Sequence, residues 1–216
     1  MRIDKKRIVI LVSGSGSNAQ AIIDACAKGI INGDVVKVIS NVPEAFALER
    51  AELAGIPAIS IDHKSFDGRE NFDLALADKI DSARPDLIVL AGFMRILSNS
   101  FVNKYIGKLL NIHPSLLPKY PGLSTHQRAI DNMDQEHGTS VHFVTPELDG
   151  GPVILQAKVP VFEGDDVDEL ALRVLAQEHK IYPIVINWLC NERISLNSMK
   201  VLFDGQVLPE CGYASD

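Results

Sequence analysis

The stretch Arg7-Ile-Val-Ile-Leu-Val-Ser-Gly-Ser-Gly-Ser-Asn-Ala19 decides the fold. Arg7 to Val12 is a continuous apolar run, the pattern of a central parallel strand buried on both faces. Ser13 to Asn18 then interrupts it with glycines and small hydrogen-bonding side chains. From Ala19 to Lys28 apolar residues return at helical spacing, with Ile22, Ile23 and Cys26 on one side and Gly29 as the stop. Strand, glycine loop and helix in that order open a sheet wound by crossover helices.

The alternation continues. Val35 to Ser40, Pro57 to Ile61, Asp86 to Ala91 and Lys108 to His113 read as further strands. Glu44 to Ala54, Arg69 to Ala83 and Ser98 to Tyr105 read as the helices between them, the middle one with Phe72, Leu76, Ile80 and Ala83 as its apolar stripe. The class is α/β, a Rossmann-like, doubly wound, mostly parallel sheet with right-handed crossovers. The later part differs. Thr139 to Thr145 and Val153 to Val161 are strands joined through Pro146-Glu-Leu-Asp-Gly-Gly-Pro152 without a crossover helix, so the sheet acquires an antiparallel C-terminal portion. Asp165 or Asp166 caps one long helix, Val167 to about Trp188, with Leu170, Val174, Ile181 and Ile184 inward and Pro183 expected to kink or break it. Val201 to Phe203 with Asp204-Gly205 reads as a small hairpin.

Composition narrows the function classes. With 216 residues, 46% of them hydrophobic, the chain has material for one substantial core. A formal charge of -7 without a Lys/Arg cluster argues against nucleic acid as the partner. Cys26, Cys190 and Cys211 are an odd number with no Cys-x-x-Cys, which suits a reducing cytoplasm. The charged lead-in Met1-Arg-Ile-Asp-Lys-Lys-Arg runs into an apolar segment too short for a signal sequence, and no long apolar run follows, so the expectation is no export and no membrane.

Gly14-Ser-Gly16-Ser-Asn-Ala19 satisfies the dinucleotide pattern Gly-x-Gly-x-x-Gly/Ala between strand and helix, where free N–H groups and the helix dipole favour a phosphate. A dinucleotide also wants an acid at the end of the second strand, and Ile39-Ser40-Asn41 stands there instead. A mononucleotide or sugar phosphate fits better. Glycines kept for packing alone rank below phosphate binding, because Ser15, Ser17 and Asn18 add donors.

The second polar feature is Leu109-Leu-Asn-Ile-His-Pro-Ser-Leu-Leu-Pro118. Residues two apart on a strand share a face, so Asn111 and His113 point the same way, and Pro114 holds His113 in the extended region. An amide donor beside an imidazole suits an oxyanion and a proton transfer. Taken alone, these residues are read first as a polar strand end with a hydrogen-bonded histidine.

Four stretches reverse that preference: Ser13 to Asn18, Ala91-Gly-Phe-Met-Arg-Ile-Leu97, Asn111 to Pro118, and His137-Gly-Thr-Ser-Val-His142 leading to Asp149-Gly-Gly-Pro152. In this order and over almost the whole chain they resemble the folate-dependent formyltransferases, specifically the phosphoribosylglycinamide formyltransferase (GAR transformylase) family of purine synthesis. The resemblance implies direct attack of the glycinamide amine on the formyl carbon of 10-formyltetrahydrofolate through a tetrahedral intermediate, with no metal. It places the catalytic trio on Asn111, His113 and Asp149, and the substrate phosphate on Gly16, Ser17 and Asn18. Glu178 matches the acid that holds the ribose. The folate pocket falls on Met94, Arg95, Ile96 and Leu97, on Asn111, and on Thr145, Glu147 and Leu148, with Arg69 near the glutamate tail.

One departure is visible: where close relatives often carry a histidine in Gly-Leu-His-Thr-His, this chain has Gly122-Leu-Ser-Thr-His126. The implied organisation is a single formyltransferase domain, 1–216, with a mononucleotide-binding half to about residue 107 and a catalytic, folate-loop half from about residue 108. The partners are the small molecules phosphoribosylglycinamide and reduced folate, and the oligomeric state is left open, a homodimer included.

In that chemistry Asn111 would donate to the formyl oxygen and His113 would protonate the leaving folate nitrogen. Asp149 would favour the charged imidazole and, through a water, accept the proton shed by the amine. Asp-Gly by itself signals a turn-capping aspartate, and Gly150-Gly151 lets the loop come close to ligands. His137 and His142 lack a third ligand at zinc-like spacing and Ser115 lacks a nucleophile elbow, so none of the three is assigned a role. His63, His126 and His179 are likewise read as surface or hydrogen-bonded histidines. The alternatives are a tRNA formyltransferase or a formyltetrahydrofolate deformylase, each expected to carry an added domain that this sequence does not show, and a nucleotide-binding regulatory module without chemistry.

Overall fold

Lys6–Val12 forms strand β1, and Ile8 to Val12 within it are fully buried in the computed structural model, which describes residues 5–213. The residues before Lys5, at the start of the charged lead-in, and residues 214–216 lie outside the described residues. Two compact units meet at the Leu110–Asn111 bond.

In the first unit β1 is followed by α1 (Ser17–Ala27), β2 (Gly33–Ser40), α2 (Phe46–Leu53), β3 (Ala58–Ser60), α3 (Arg69–Asp81), β4 (Leu87–Leu90) and α4 (Asn99–Lys104). The strands run β3-β2-β1-β4, every pair parallel, with β1 interior. That position is why its apolar run does not alternate: both faces are covered. Phe72, Leu76 and Ile80 of α3 are fully buried, as their spacing requires. α1 starts at Ser17, two residues before the expected start, with Gly16 as its N-cap in the left-handed region at φ 74°.

β5 (Leu109–His113) carries the chain into the second unit and ends on His113, the residue before Pro114. There follow α5 (Thr125–Asp131), β6 (Glu136–Phe143), β7 (Val153–Pro160), α6 (Val167–Cys190), β8 (Ile194–Asn197), β9 (Lys200–Phe203) and β10 (Gln206–Val207). β6 and β7 pair antiparallel, giving the mixed, mostly parallel sheet that the sequence implies. Their register shifts between Val141 and His142, so Val141 faces Leu155 while His142 faces Val153. β9 and β10 form the hairpin across Asp204-Gly205, both at positive φ, and β8 adds a third strand.

Asp166 caps α6 in a full capping box with Glu169. Two expectations for this helix are corrected. It has no break at Pro183, the second of the two alternatives expected there, because burial of Pro183 with Tyr182, Val185 and Ile186 outweighs the local cost of about 3 kcal/mol for an interior proline. Ile184 is 42% exposed, because the buried stripe steps from Ile181 to Val185 and leaves Ile184 off its edge.

Candidate active site

The second unit assembles a polar cluster around the end of β5. His113 is buried, and its Nδ1 lies 3.5 Å from Oδ2 of Asp149. Its Nε2 donates to the Tyr120 carbonyl at 2.8 Å, which requires a hydrogen on Nε2 because the carbonyl only accepts. Asp149 sits at φ 50° in the β6–β7 connection with only 10% of its side chain exposed. It does not cap its own turn. Its Oδ2 accepts the Gly122 N–H at 2.9 Å, and its Oδ1 is 3.8 Å from Nε2 of His142.

Asn111, two residues before His113 on β5, places Nδ2 3.2 Å from that same His142 Nε2. The other ring nitrogen of His142, Nδ1, donates to the Phe143 carbonyl at 2.9 Å. Burial is the main influence on the His142 imidazole and pushes its pKa below the ordinary histidine value, toward the neutral ring, against the opposing pull of the Phe143 carbonyl and Asp149. Trio and extra histidine thus form one connected group.

Local structure explains why the group is held. Ser140 on β6 donates to the Ser115 carbonyl and accepts the Leu117 N–H, pinning the His-Pro-Ser-Leu-Leu-Pro turn. Thr139 Oγ1 donates to the His113 carbonyl at 3.0 Å and lies 3.5 Å from Oε1 of the buried Glu178 on α6, so Glu178 belongs to this neighbourhood. A Cβ on Gly151 would overlap the Phe143 carbonyl oxygen, so the glycine is required there by packing within the chain itself. Thr145 is buried, while Glu147 and Leu148 project to solvent beside Asp149. Beyond the trio, His126 Nδ1 contacts His137 Nε2 at 3.1 Å, and burial lowers the pKa of both, that of His137 to about 4. Ser124, at the departure from the family pattern, is exposed with φ 57° and precedes α5 without a side-chain cap bond.

In the first unit, the glycine loop is tied to the segment after β4. Ser13 accepts the Met94 N–H on its hydroxyl at 2.7 Å, and its own N–H donates to the Gly92 carbonyl at 3.0 Å. Ser17 and Asn18 start α1 next to the left-handed Gly16. Gly16 has a packing reason of its own, since a Cβ there would come 2.5 Å from the Cβ of Ala47. Met94 and Ile96 are 71% and 55% exposed, large apolar side chains turned to solvent. Leu97 turns into the core and Arg95 lays its guanidinium over Phe72 at 5.0 Å. Arg69 is exposed at the start of α3.

Reading the sequence left out His142 and the Tyr120–Gly122 segment. His142 joins the cluster through its Nε2 contact with Asn111, a pairing that hydropathy does not encode. The backbone groups of Tyr120 and Gly122 carry no side-chain signal. Among the described residues no group of three or more His, Cys, Asp or Glu is placed to share a metal ion, and no helix is long and apolar enough to cross a membrane.

The model of the formyl transferase family matches residues 6–186. The chain is similar to the phosphoribosylglycinamide formyltransferase of Escherichia coli (strain K12), 59% identical over 209 residues that cover 97% of this chain and 99% of that protein. It is similar to part of the trifunctional purine biosynthetic protein adenosine-3 of Drosophila melanogaster, 49% identical over 87% of this chain and 14% of that protein. A solved structure, the phosphoribosylglycinamide formyltransferase of Coxiella burnetii, superposes with a TM-score of 0.94 at 47% identity, covering 97% of this chain and 99% of that one.

Proposed function

The chain belongs to the formyl transferase family, and on that premise we propose that it moves the formyl group of 10-formyltetrahydrofolate onto the amine of phosphoribosylglycinamide in purine biosynthesis. The observation that carries this reading is the buried contact of His113 with Asp149, with Asn111 two residues along the same strand. The bound folate supplies an electrophilic formyl carbon; everything else falls to this chain.

Attack by the amine drives negative charge onto the formyl oxygen. Asn111 offers an N–H to that oxygen without changing its own charge, and His113 offers Nε2–H once the Tyr120 carbonyl is exchanged for substrate. Asp149, facing Nδ1, stabilises a positively charged ring and takes up, through water, the proton released by the amine; the bond from the formyl carbon to the folate nitrogen then breaks, and His113 gives the departing nitrogen its proton. Its near-complete burial strengthens both effects, since charges interact more strongly away from water.

For the substrates, the α1 start at Ser17 and Asn18 suits the phosphate, and Glu178 suits the ribose hydroxyls. The exposed Met94 and Ile96 suit the pterin, and Arg69 suits the anionic glutamate tail. The cysteines Cys26, Cys190 and Cys211, an odd number without a Cys-x-x-Cys, suit a reducing cytoplasm. The test is an acceptor comparison with 10-formyltetrahydrofolate. Formyl transfer to phosphoribosylglycinamide should exceed both transfer to initiator tRNA and release of free formate; the reverse order would assign the chain to another branch of the family.

A further inference from the structure

The two ends of a carboxamide have almost the same shape, so something must decide which end of Asn111 carries hydrogen toward the reaction. His142 is placed to decide it. The carbonyl of Phe143, 2.9 Å from His142 Nδ1, only accepts, so Nδ1 holds the ring hydrogen. In the neutral ring Nε2 then carries a lone pair, and the atom 3.2 Å from it must be the Asn111 nitrogen rather than the oxygen. One N–H of Asn111 is spent on the ring, and the second is fixed in direction for a ligand.

We infer that His142 is a positioning residue: its Nδ1–H tautomer sets the amide orientation of Asn111 and thereby the direction of the oxyanion-donating N–H. The inference rests on the oxyanion role proposed for Asn111. The ring is rigidly placed for the task. It is 2% exposed, and its Nδ1 is anchored to the backbone of the next residue. Among the described residues two titratable groups act on the ring: Asp149, whose Oδ1 is 3.8 Å from Nε2, longer than the Asn111 contact and beyond hydrogen-bond reach, and His113, whose charge opposes protonation of His142. A ring protonated at both nitrogens would donate from Nε2 and select the flipped amide. Burial holds His142 in the neutral form that the arrangement needs.

The experiment is a mutant cycle with a rescue arm. His142→Phe keeps an aromatic ring of similar size and removes the acceptor. It should lower kcat about 10–100-fold with the KM for phosphoribosylglycinamide little changed. His142→Gln restores an oxygen acceptor at the Nε2 position and should recover most of the loss. In an Asn111→Ala background, His142→Phe should cost almost nothing further. Equal losses from His142→Phe with and without Asn111 would overturn the inference while leaving the role of Asn111 intact. A near-normal kcat in Asn111→Ala alone would overturn that role and the inference with it. Nitrogen NMR of the His142 ring in the unmutated protein gives a readout independent of variant folding: an Nδ1–H tautomer supports the inference, and an Nε2–H tautomer overturns it.

Discussion

The Nε2 of His113 is bonded to the carbonyl of Tyr120 at 2.8 Å. Two residues on, the Gly122 N–H is bonded to Asp149. Both partners of the proposed acid–base pair thus hold the same short backbone segment, and each must release or share that contact to act on a ligand. In hydrogen exchange of the free protein the Gly122 amide should be protected. Asp149→Ala removes its acceptor, so that amide should exchange roughly tenfold faster while amides of the β6–β7 ladder keep their rates. An unchanged Gly122 rate would mean that Asp149 does not hold the segment in solution.

Phosphate binding by the glycine loop is better tested at Ser17 than at Gly16. A side chain at Gly16 would meet Ala47 and would force a left-handed backbone on an L-residue at about 1–2 kcal/mol, so it would disturb folding together with binding. Ser17→Ala leaves the backbone alone. Its expected effect is a rise in the KM for phosphoribosylglycinamide of roughly tenfold, the cost of one hydrogen bond to a charged group, with the folate KM unchanged. Equal loss of both substrates would count against a phosphate at this loop.

Acid should weaken the fold through buried histidines. His137 is 1% exposed, and burial lowers its pKa from 6.5 to about 4. Between those values the unfolded chain takes up a proton that the folded chain refuses, so stability falls as pH drops from about 6.5 to about 4 and levels off below. The loss from His137 is on the order of 3 kcal/mol. His126 and His142 are shifted in the same direction, also mainly by burial. Urea midpoints at several pH values should fall steeply across this window, and less steeply in His137→Gln. Parallel slopes for the two proteins would remove His137 as a source of acid sensitivity.

Much of this architecture was legible in the residues. The unbroken apolar run of Ile8 to Val12 announces an interior parallel strand, and Asn111 and His113 announce a shared face by spacing alone. What escaped depends on packing. α5 was not anticipated: it is one short helix with only Thr125 and Ala129 buried, too little for a periodic signal. Pro183 reads as a kink or a break, and the helix continues past it to Cys190 because tertiary burial outweighs a local preference. His142 has no metal-ligand spacing in the sequence, and its place is marked instead by contacts with the Phe143 carbonyl and Asn111 that only the fold brings together. Gly16 shows the converse: the glycine reads as a phosphate signal, and close packing against Ala47 is a second demand on the same residue that spacing does not reveal.

The central claim is that His113 and Asp149 work as one unit in formyl transfer, and the most direct measurement is kcat for His113→Asn, Asp149→Asn and the double variant with both substrates saturating. Each single change should lower kcat by roughly 10²–10⁴ with the fold intact by thermal melting. The double variant should fall little below the poorer single one, because groups that act together are not additive. Losses that multiply in full would contradict the claim, leaving Asp149 as an anchor for the Gly122 backbone and His113 to act without it.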